Sequence, residues 1–124
     1  MSKSRVTGKG PVLRIDHRDL AFTHRGGPPG SSSVARALSN EVSPNLGVGF
    51  ARWSGAEVPW TVLYDEVIFV IEGCFELRAN GEMYRVEPGQ VLWIPEGTEL
   101  IYGGHALFGY VVYPGDWKLR HKVV

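Results

Sequence analysis

Turn-forming residues recur roughly every ten positions from about residue 45 onward, and they separate short runs rich in apolar and β-branched residues. The clearest of these signals is Asn80-Gly81, because an Asn-Gly pair readily forms the tight turn of a two-residue hairpin. The runs on either side, 66–79 and 82–88, are therefore expected to be paired strands, and Gly73 interrupts the longer one. This spacing predicts an all-β sandwich or barrel and argues against alternating strands and helices.

Further segments have strand-like patterns. They are 46–53, 57–63, 90–95, 98–103 and 106–114. Before them, residues 12–20 alternate weakly and predict a strand followed by a turn, while residues 25–33 (RGGPPGSSS) predict a loop that covers a face or an opening of the barrel. We therefore expect an N-terminal segment, 1–45, that packs on the barrel, a barrel spanning 46–117, and a basic C-terminal tail, 118–124.

The composition fits one globular domain, since the chain has 124 residues of which 44% are hydrophobic and 21% are charged. Cys74 is the only cysteine, so an intrachain disulfide is impossible, and this fits a reducing compartment. The N-terminus has no apolar run long enough for a signal peptide, and no stretch is long enough to span a bilayer. These features predict a cytoplasmic protein that does not contact a membrane.

Positive charge is concentrated at the two ends of the chain, although the formal net charge is zero. Residues 1–25 contain six Lys or Arg against two Asp, residues 116–122 contain three against one, and the middle contains four arginines against ten carboxylates. We interpret this as basic ends that pack on the acidic body of the same subunit or of a neighbour. Because no continuous basic face is visible, we expect no nucleic-acid partner.

Two motifs lie on either side of the Asn-Gly turn. Glu66 is followed by six residues and Gly73, and fifteen residues later the stretch GQVLWIPEG supplies Gly89, five residues, Pro95, one residue and Gly97. This order and spacing resemble the two motifs of the cupin family. The resemblance implies a cupin fold, which is a double-stranded β-helix or jelly-roll barrel. It also implies a site inside the barrel where three histidines and a glutamate bind Fe, Mn, Ni or Zn.

The metal histidines of that pattern are missing here. Counting back from the motif glutamate, their places fall near Trp60 and Val62, and Leu100 occupies the third place. A lone carboxylate does not hold a transition metal well, since affinity requires several convergent ligands. We therefore expect no metal cofactor, with a divalent metal recruited by His105 or His24 as the alternative.

Longer stretches narrow the resemblance. They are Pro59-Trp60-Thr61, Tyr64-Asp65-Glu66, Val70-Ile71-Glu72-Gly73, Ile94-Pro95-Glu96-Gly97 and the segment from Tyr110 to Trp117. In this order they resemble the ethanolamine-utilisation protein Q (EutQ) family, which also lacks the metal histidines. The resemblance implies a role in ethanolamine breakdown in bacterial microcompartments and an acetate kinase activity. Two residues after Glu66 the family has an acidic residue and this chain has Ile68, so we do not expect the kinase chemistry to carry over.

Glu66 is the candidate catalytic residue. On a cupin strand it points into the barrel, where an unpaired ionised carboxylate is costly. It would act as a general acid or base with a raised pKa, or as an anchor for a polar ligand. The alternative is a structural salt bridge to Arg52, Arg78 or a basic N-terminal residue. The predicted ligand pocket around it consists of Trp60, Val62, Tyr64, Ile68, Leu100 and Tyr102.

Three functions remain open from the sequence. The favoured one is binding of a small polar or carboxylate-bearing molecule inside the barrel. The second is an enzyme, either an isomerase or lyase or an acetate-kinase-like phosphotransferase, with Glu66 as acid or base. The third is a non-catalytic dimerisation or docking module, which would use a set of apolar outward positions. These are Leu63, Val67, Phe69 and Ile71. Since small cupins commonly pair their sheets, the resemblance implies a homodimer.

Overall fold

The computed structural model describes residues 10–121. These residues form an eight-stranded antiparallel sheet that folds over on itself, with a 3-10 helix at His17–Asp19 and a helix α1 at Trp117–Arg120. The strands are β1 (Thr23–His24), β2 (Ser31–Leu38), β3 (Gly47–Ser54), β4 (Val58–Thr61), β5 (Asp65–Ala79), β6 (Glu82–Val86), β7 (Val91–Ile94) and β8 (Glu99–Tyr113). Across the range 10–121 there is no helix of the length and hydropathy needed to cross a membrane.

Two fifteen-residue strands, β5 and β8, lie side by side at the centre of the sheet and pair along almost their whole length. The strand order is β1-β2-β3-β8-β5-β6, while β4 also pairs with β8 and β7 with β5. The first half of β5 pairs with β7 and the second half with β6. Likewise, the first half of β8 pairs with β4 and the second half with β3. Each central strand therefore runs through both layers of the barrel.

Gly73 in β5 and Gly104 in β8 bend the two central strands near the same level, with φ angles of +82° and +90°. A Cβ atom at Gly73 would collide with the carbonyl oxygen of His105, and one at Gly104 would lie within 2.8 Å of backbone atoms of β5. Only glycine fits where a positive φ and a close approach combine. These bends, with the register shift between Val70 and Glu72, turn one long strand pair into two layers.

The core lies between the layers, on the inward side of β5. Glu66, Ile68 and Val70 are buried, while the residues between them are half-buried, which is the period of two expected of a strand with one covered face. Deeper in the barrel, the rings of Phe75 and Phe108 pack with their centroids 4.5 Å apart. Burying an apolar side chain of this size stabilises the fold by about 1.5–3 kcal/mol.

Most of the predicted strands are present. The segments 46–53, 57–63, 66–79, 82–88 and 90–95 correspond to β3, β4, β5, β6 and β7. The predicted strands 98–103 and 106–114 are instead one strand, β8, because Gly104 bends the chain while both halves keep their pairing with β5. The all-β architecture predicted from the spacing of the turns is confirmed.

The N-terminal segment differs more from the prediction. Residues 12–20 form no strand, and the 3-10 helix capped by Asp16 lies there instead. The predicted loop 25–33 overlaps β2, which begins at Ser31 and pairs with β3. The sheet therefore starts before residue 46, where the sequence placed the start of the barrel. The reason is that β2 is built largely of serine and alanine, whose alternation gives no clear apolar pattern.

Residues that precede β1 cover the outer face of β2 and β3. The ring of His17 lies 5.4 Å from the ring of Phe50, and the guanidinium carbon of Arg52 lies 5.2 Å from the ring centroid of Phe22. These contacts cover the outer surface at one edge of the sheet. The predicted basic tail, 118–124, begins inside α1, and its last three residues lie outside the described range.

Candidate functional site

A cavity of about 390 Å³ lies inside the barrel. It is bounded by residues of β2, β3, β4, β5 and β8, together with α1. Its volume falls within the range of small-molecule sites, toward the lower end. Some of the predicted pocket residues line it, namely Trp60, Tyr64, Glu66 and Tyr102. The cavity is therefore the candidate functional site.

Glu66 is the only carboxylate among the described residues that line the cavity, and 5% of its surface is exposed. The Tyr102 hydroxyl donates a hydrogen bond of 2.7 Å to its Oε1 atom. Burial disfavours the charged form and raises the pKa of Glu66 from 4.5 to about 7, although the hydrogen bond from Tyr102 opposes this shift. The carboxyl group can therefore take up or release a proton near neutral pH.

Within residues 10–121, the structural salt bridge considered from the sequence is not found at Glu66, and the N-terminal candidates Lys3, Arg5 and Lys9 lie outside that range. Arg52 lies over the ring of Phe22 on the outside of the sheet, and Arg78 lies 3.9 Å from a carboxylate oxygen of Glu57. Within residues 10–121, no Lys or Arg lies within 4.0 Å of the Glu66 carboxylate. Because a buried carboxylate without a counterion is costly, the protonated and ionised forms of Glu66 are closely balanced at neutral pH.

Two tyrosines and a tryptophan continue the polar wall beside Glu66. The Nε1 atom of Trp60 donates a hydrogen bond of 3.2 Å to the hydroxyl oxygen of Tyr64, which leaves the O–H of Tyr64 able to donate elsewhere. Burial raises the pKa of both Tyr64 and Tyr102, and the charge on Glu66 adds to each shift. Both phenols therefore stay protonated and act as neutral hydrogen-bond donors.

Trp117, at the start of α1, supplies an aromatic wall of the cavity that the sequence did not predict. Its ring lies 4.9 Å from the ring of Tyr64 and 6.1 Å from that of Trp60. Trp53 of β3 also lines the cavity and packs against Tyr102 with the ring centroids 6.0 Å apart. Trp117 is the last residue of the EutQ-like segment from Tyr110 to Trp117, so the sequence did contain a signal that pointed to this residue. Only the folded chain shows that this residue lies beside β4.

Three predicted pocket residues lie in the core and not on the cavity. Val62 and Ile68 have no exposed surface, and Leu100 is 5% exposed. All three belong to the central apolar cluster, and none of them lines the cavity. Ile68 does point inward from the same face of β5 as Glu66, as the strand period requires. Its side chain is fully buried and does not line the cavity, although it lies only two residues from Glu66.

Three cationic side chains line the cavity and were missed by sequence reasoning. They are Arg25, Arg36 and Lys118. Arg25 follows β1, Arg36 lies on β2 and Lys118 lies on α1, so only the tertiary fold brings them together. The two arginines are exposed and the lysine is half-buried, whereas Glu66 is buried. The cations therefore mark the outer end of the cavity and the carboxyl group marks its inner end.

Within the described residues, the basic ends of the chain form no ion pair with the acidic middle of the same subunit, and packing on a neighbouring subunit stays a prediction. Within the described residues, their ion pairs are local, from Arg18 to Asp16 at 2.8 Å and from Arg120 to Asp116 at 2.5 Å. Lys3, Arg5, Lys9 and Lys122 lie outside the described range. Arg25 and Lys118, which belong to the two ends, take no part in these local pairs and line the cavity.

The side chains at the cavity do not fit the metal that a cupin fold implies. Within residues 10–121, no group of three His, Cys, Asp or Glu side chains comes together. His24 and His105 are exposed, and neither lines the cavity. Glu66 has the protonated phenols of Tyr64 and Tyr102 as polar neighbours, and the places of the metal imidazoles are taken by Trp60, Val62 and Leu100. The absence of a metal cofactor stays a prediction, and no step of the proposed function passes through a metal.

Comparisons with known proteins agree with the motifs. A family model described as "Ethanolamine utilisation protein EutQ" matches residues 7–119. The protein named "Acetate kinase EutQ" from Salmonella typhimurium is 33% identical over 116 residues, which make up 91% of this chain and 51% of that protein. The chain therefore spans about half the length of this curated relative.

Solved structures show the same relationship. A crystal structure of an ethanolamine utilization protein Q from Salmonella typhimurium has 33% sequence identity and a TM-score of 0.79, and covers 89% of this chain and 92% of that chain. A cupin-like protein from Thermotoga maritima is similar in fold alone, with 15% identity and a TM-score of 0.63 over 77% of this chain and 74% of that chain. The predicted cupin fold, a double-stranded β-helix barrel, is thus confirmed. The chain belongs to the EutQ family of ethanolamine utilisation proteins.

Proposed function

We propose that the barrel binds a small polar or carboxylate-bearing molecule in its cavity without a metal, and that Glu66 is the polar anchor at the inner end. The main support for this proposal is the hydrogen-bonded pair formed by Glu66 and Tyr102. The carboxyl group is buried at the cavity wall, and this 2.7 Å hydrogen bond is the one that Glu66 makes within the described residues. A purely structural buried carboxyl usually has more of its hydrogen-bonding capacity filled.

A second polar group at the cavity supports a ligand. The Nε1 atom of Trp53 is buried and has no hydrogen-bond partner within residues 10–121. Trp53 lines the same cavity as Glu66, and a donor left without a partner in a native structure calls for an explanation. A ligand that accepts a hydrogen bond from this indole nitrogen, and exchanges one with Glu66, would satisfy both groups. The aromatic rings of Trp60 and Trp117 supply apolar walls of the same cavity.

A thermal-shift screen of small polar and carboxylate-bearing metabolites tests this proposal. A ligand that binds only the folded protein raises its melting temperature. We expect shifts with wild type that are lost in Glu66→Gln and kept in Glu82→Gln, which alters an exposed glutamate of β6. Each shift is measured against the ligand-free melting temperature of the same variant. Identical shifts in wild type and Glu66→Gln throughout the library would contradict the proposal.

The second candidate function is catalysis, with Glu66 as general acid or base. The observation that favours it is the pKa of about 7, because a group that titrates near the working pH can both accept and donate a proton. The relative from Salmonella typhimurium is named an acetate kinase, and this chain spans about half its length. An assay of acetyl phosphate formation from acetate and ATP, run on wild type and on folded Glu66→Gln, tests a phosphotransfer reaction directly. Turnover that is equal in the two proteins would remove Glu66 from the mechanism.

The third proposal concerns a partner, a second copy of this chain. Two pairs of apolar residues lie side by side across β5 and β7 on the outer face of the sheet, and the β7 member of each pair is exposed. Trp93 lies opposite Val67, and Val91 lies opposite Phe69. Trp93 is 58% exposed and Val91 is 66% exposed, which is high for large apolar side chains. Self-association through this face would remove them from water.

We also propose that the protein works in the cytoplasm, as the sequence predicts.

A further inference from the structure

Three cations from separate elements converge on the outer end of the cavity. Arg25 comes from the loop after β1, Arg36 from β2 and Lys118 from α1. Within residues 10–121 none of them lies within 4.0 Å of a carboxylate, whereas Arg78 and Arg85 each have such a partner. The described part of the chain therefore supplies these three charges with no counterion of their own.

The three charges are close enough to act on one another. Burial is the largest cause of the lowered pKa of Lys118, and the charges of Arg36 and Arg25 lower that pKa further. The same two arginines oppose the upward shift that burial gives the pKa of Tyr110, another residue of the cavity wall. Like charges held together without a counterion repel, and an anion placed between them would relieve that repulsion.

The local structure holds these groups at the opening. The backbone N–H of Arg25 donates a 2.7 Å hydrogen bond to the carbonyl oxygen of Ser32, and the Ser32 hydroxyl donates one of 2.8 Å to the carbonyl oxygen of Gly26. Arg36 faces Gly49 across the β2–β3 pair, on the inward side of the strand. The Nζ atom of Lys118 lies 5.6 Å from the ring centroid of Trp117, which anchors the lysine beside the cavity wall.

We propose that Arg25, Arg36 and Lys118 form a subsite for a doubly charged oxyanion at the mouth of the cavity. This inference rests on the proposed function, because it names the charged end of the ligand whose polar end reaches Glu66. The carboxyl group at the inner end repels an anion when ionised, so the negative group belongs at the outer end. Arginine offers a planar fork of donors that matches phosphate and carboxylate oxygens. The ligand is thus a phosphate monoester or a dicarboxylate with an uncharged polar end.

Calorimetric titration with three simple probes tests the subsite. The probes are inorganic phosphate, malonate and acetate, at about pH 8 and constant ionic strength. We expect phosphate or malonate to bind about tenfold more tightly than acetate, since a second charge interacts with the same three cations. A preference for phosphate over malonate identifies a phosphoryl group, and the reverse identifies a dicarboxylate. Equal affinity for all three probes, or no saturable binding, would overturn the proposal.

Substitutions locate the binding on the three cations. Arg36→Met and Lys118→Met are each expected to weaken binding of the preferred dianion about tenfold. Arg85→Met is the matched control, because Arg85 is an exposed arginine that pairs with Glu76 on β6 and β5, away from the cavity. The proposal fails if Arg36→Met and Lys118→Met leave the affinity at the wild-type value, or if the control weakens it as much.

The two proposals fail separately. Glu66 lies at the inner end of the cavity. The Glu66→Gln variant is therefore expected to bind phosphate or malonate with an affinity within about twofold of the wild-type value at equal ionic strength. If the thermal shifts caused by metabolites depend on Glu66 but the affinity for dianions is unchanged in Arg36→Met and Lys118→Met, the subsite at the mouth is wrong and the proposed function of the cavity stands. If dianions bind through the cations but no metabolite responds to Glu66, the subsite stands and the anchor role of Glu66 is wrong.

Discussion

The hydroxyl group of Tyr102 donates a hydrogen bond of 2.7 Å to the Oε1 atom of Glu66, and neither residue is more than 9% exposed. The bond joins β8 to β5 inside the barrel, thirty-six residues apart in the sequence. The hydrogen bond stabilises the ionised carboxylate, but burial disfavours that charged form more strongly, so the pKa of Glu66 is raised to about 7. The proposed role of Glu66 depends on this balance between burial and one hydrogen bond.

Glu66 is expected to make the protein less stable as the pH rises. Its pKa is about 7 in the folded protein against an ordinary value of 4.5, so the folded state binds more protons than the unfolded state between those values. This contribution to stability is complete below about pH 4.5 and is lost as the pH approaches 7, with a total of about 3 kcal/mol. Chemical denaturation of wild type at several pH values measures it.

Glu66→Gln should remove this pH dependence, because glutamine keeps the shape of the protonated acid and does not titrate. Its amide oxygen can still accept the hydrogen bond from Tyr102. We expect the variant to match wild type within about 1 kcal/mol near pH 5 and to exceed it by about 2–3 kcal/mol near pH 8. A variant that is less stable than wild type at the higher pH would show that the ionised carboxylate has a compensating partner.

Tyr102→Phe is expected to destabilise the protein more at high pH than at low pH. The substitution removes the donor to Glu66, and an ionised carboxylate left without it loses about 1–3 kcal/mol of stability. The pKa of Glu66 should rise further, because the hydrogen bond is what lowers it. A double-mutant cycle with Glu66→Gln, measured by denaturation near pH 8, gives the coupling energy. A coupling energy near zero would mean that the two side chains act independently.

Gly49→Ala should disturb the cavity wall. A Cβ atom at Gly49 would collide with the ring and the hydroxyl of Tyr110, which lies across the strand from it. Overpacking of this kind typically lowers stability by about 1–3 kcal/mol. Gly103→Ala is the matched control, since its added Cβ would have no neighbour closer than 3.7 Å. Thermal denaturation compares them, and equal melting temperatures would contradict the close approach at Gly49.

Trp93→Glu is expected to convert a dimer into a monomer. The substitution places a charge in the uncovered part of the outer apolar face, where burial in an interface would leave it without a partner. Light scattering coupled to size-exclusion chromatography measures the mass. Val42→Glu, at a 51% exposed residue between β2 and β3, is the control and should keep the mass of wild type. Wild type that elutes as a monomer at all concentrations would exclude this role of the face.

The sequence predicted the barrel well because its strongest signals are local. The Asn80-Gly81 turn, the bend at Gly73 and the alternation along β5 each follow from backbone geometry over a few residues. The prediction was weaker where the pattern was faint. The serine-rich β2 has little apolar alternation, and Gly104 looked like a turn although it only bends a continuous strand.

The site was predictable only in part. Glu66, Tyr64 and Tyr102 were expected at the pocket because their strands and faces follow from the motifs and the period of two. Ile68 obeys the same period and is still in the core, because periodicity gives the face of a strand but not the depth within the barrel. Lys118 was missed because its place at the cavity depends on how α1 folds back over the barrel mouth, which no local pattern specifies.

The most direct test is a carbon-13 NMR titration of the Glu66 carboxyl group, assigned by the resonance that disappears in Glu66→Gln. We predict a titration centred near pH 7, since burial outweighs the single hydrogen bond from Tyr102. The same resonance should titrate at higher pH in Tyr102→Phe. A wild-type titration centred near 4.5 would mean that water or another group stabilises the carboxylate, and it would contradict a buried proton-binding anchor at the inner end of the cavity.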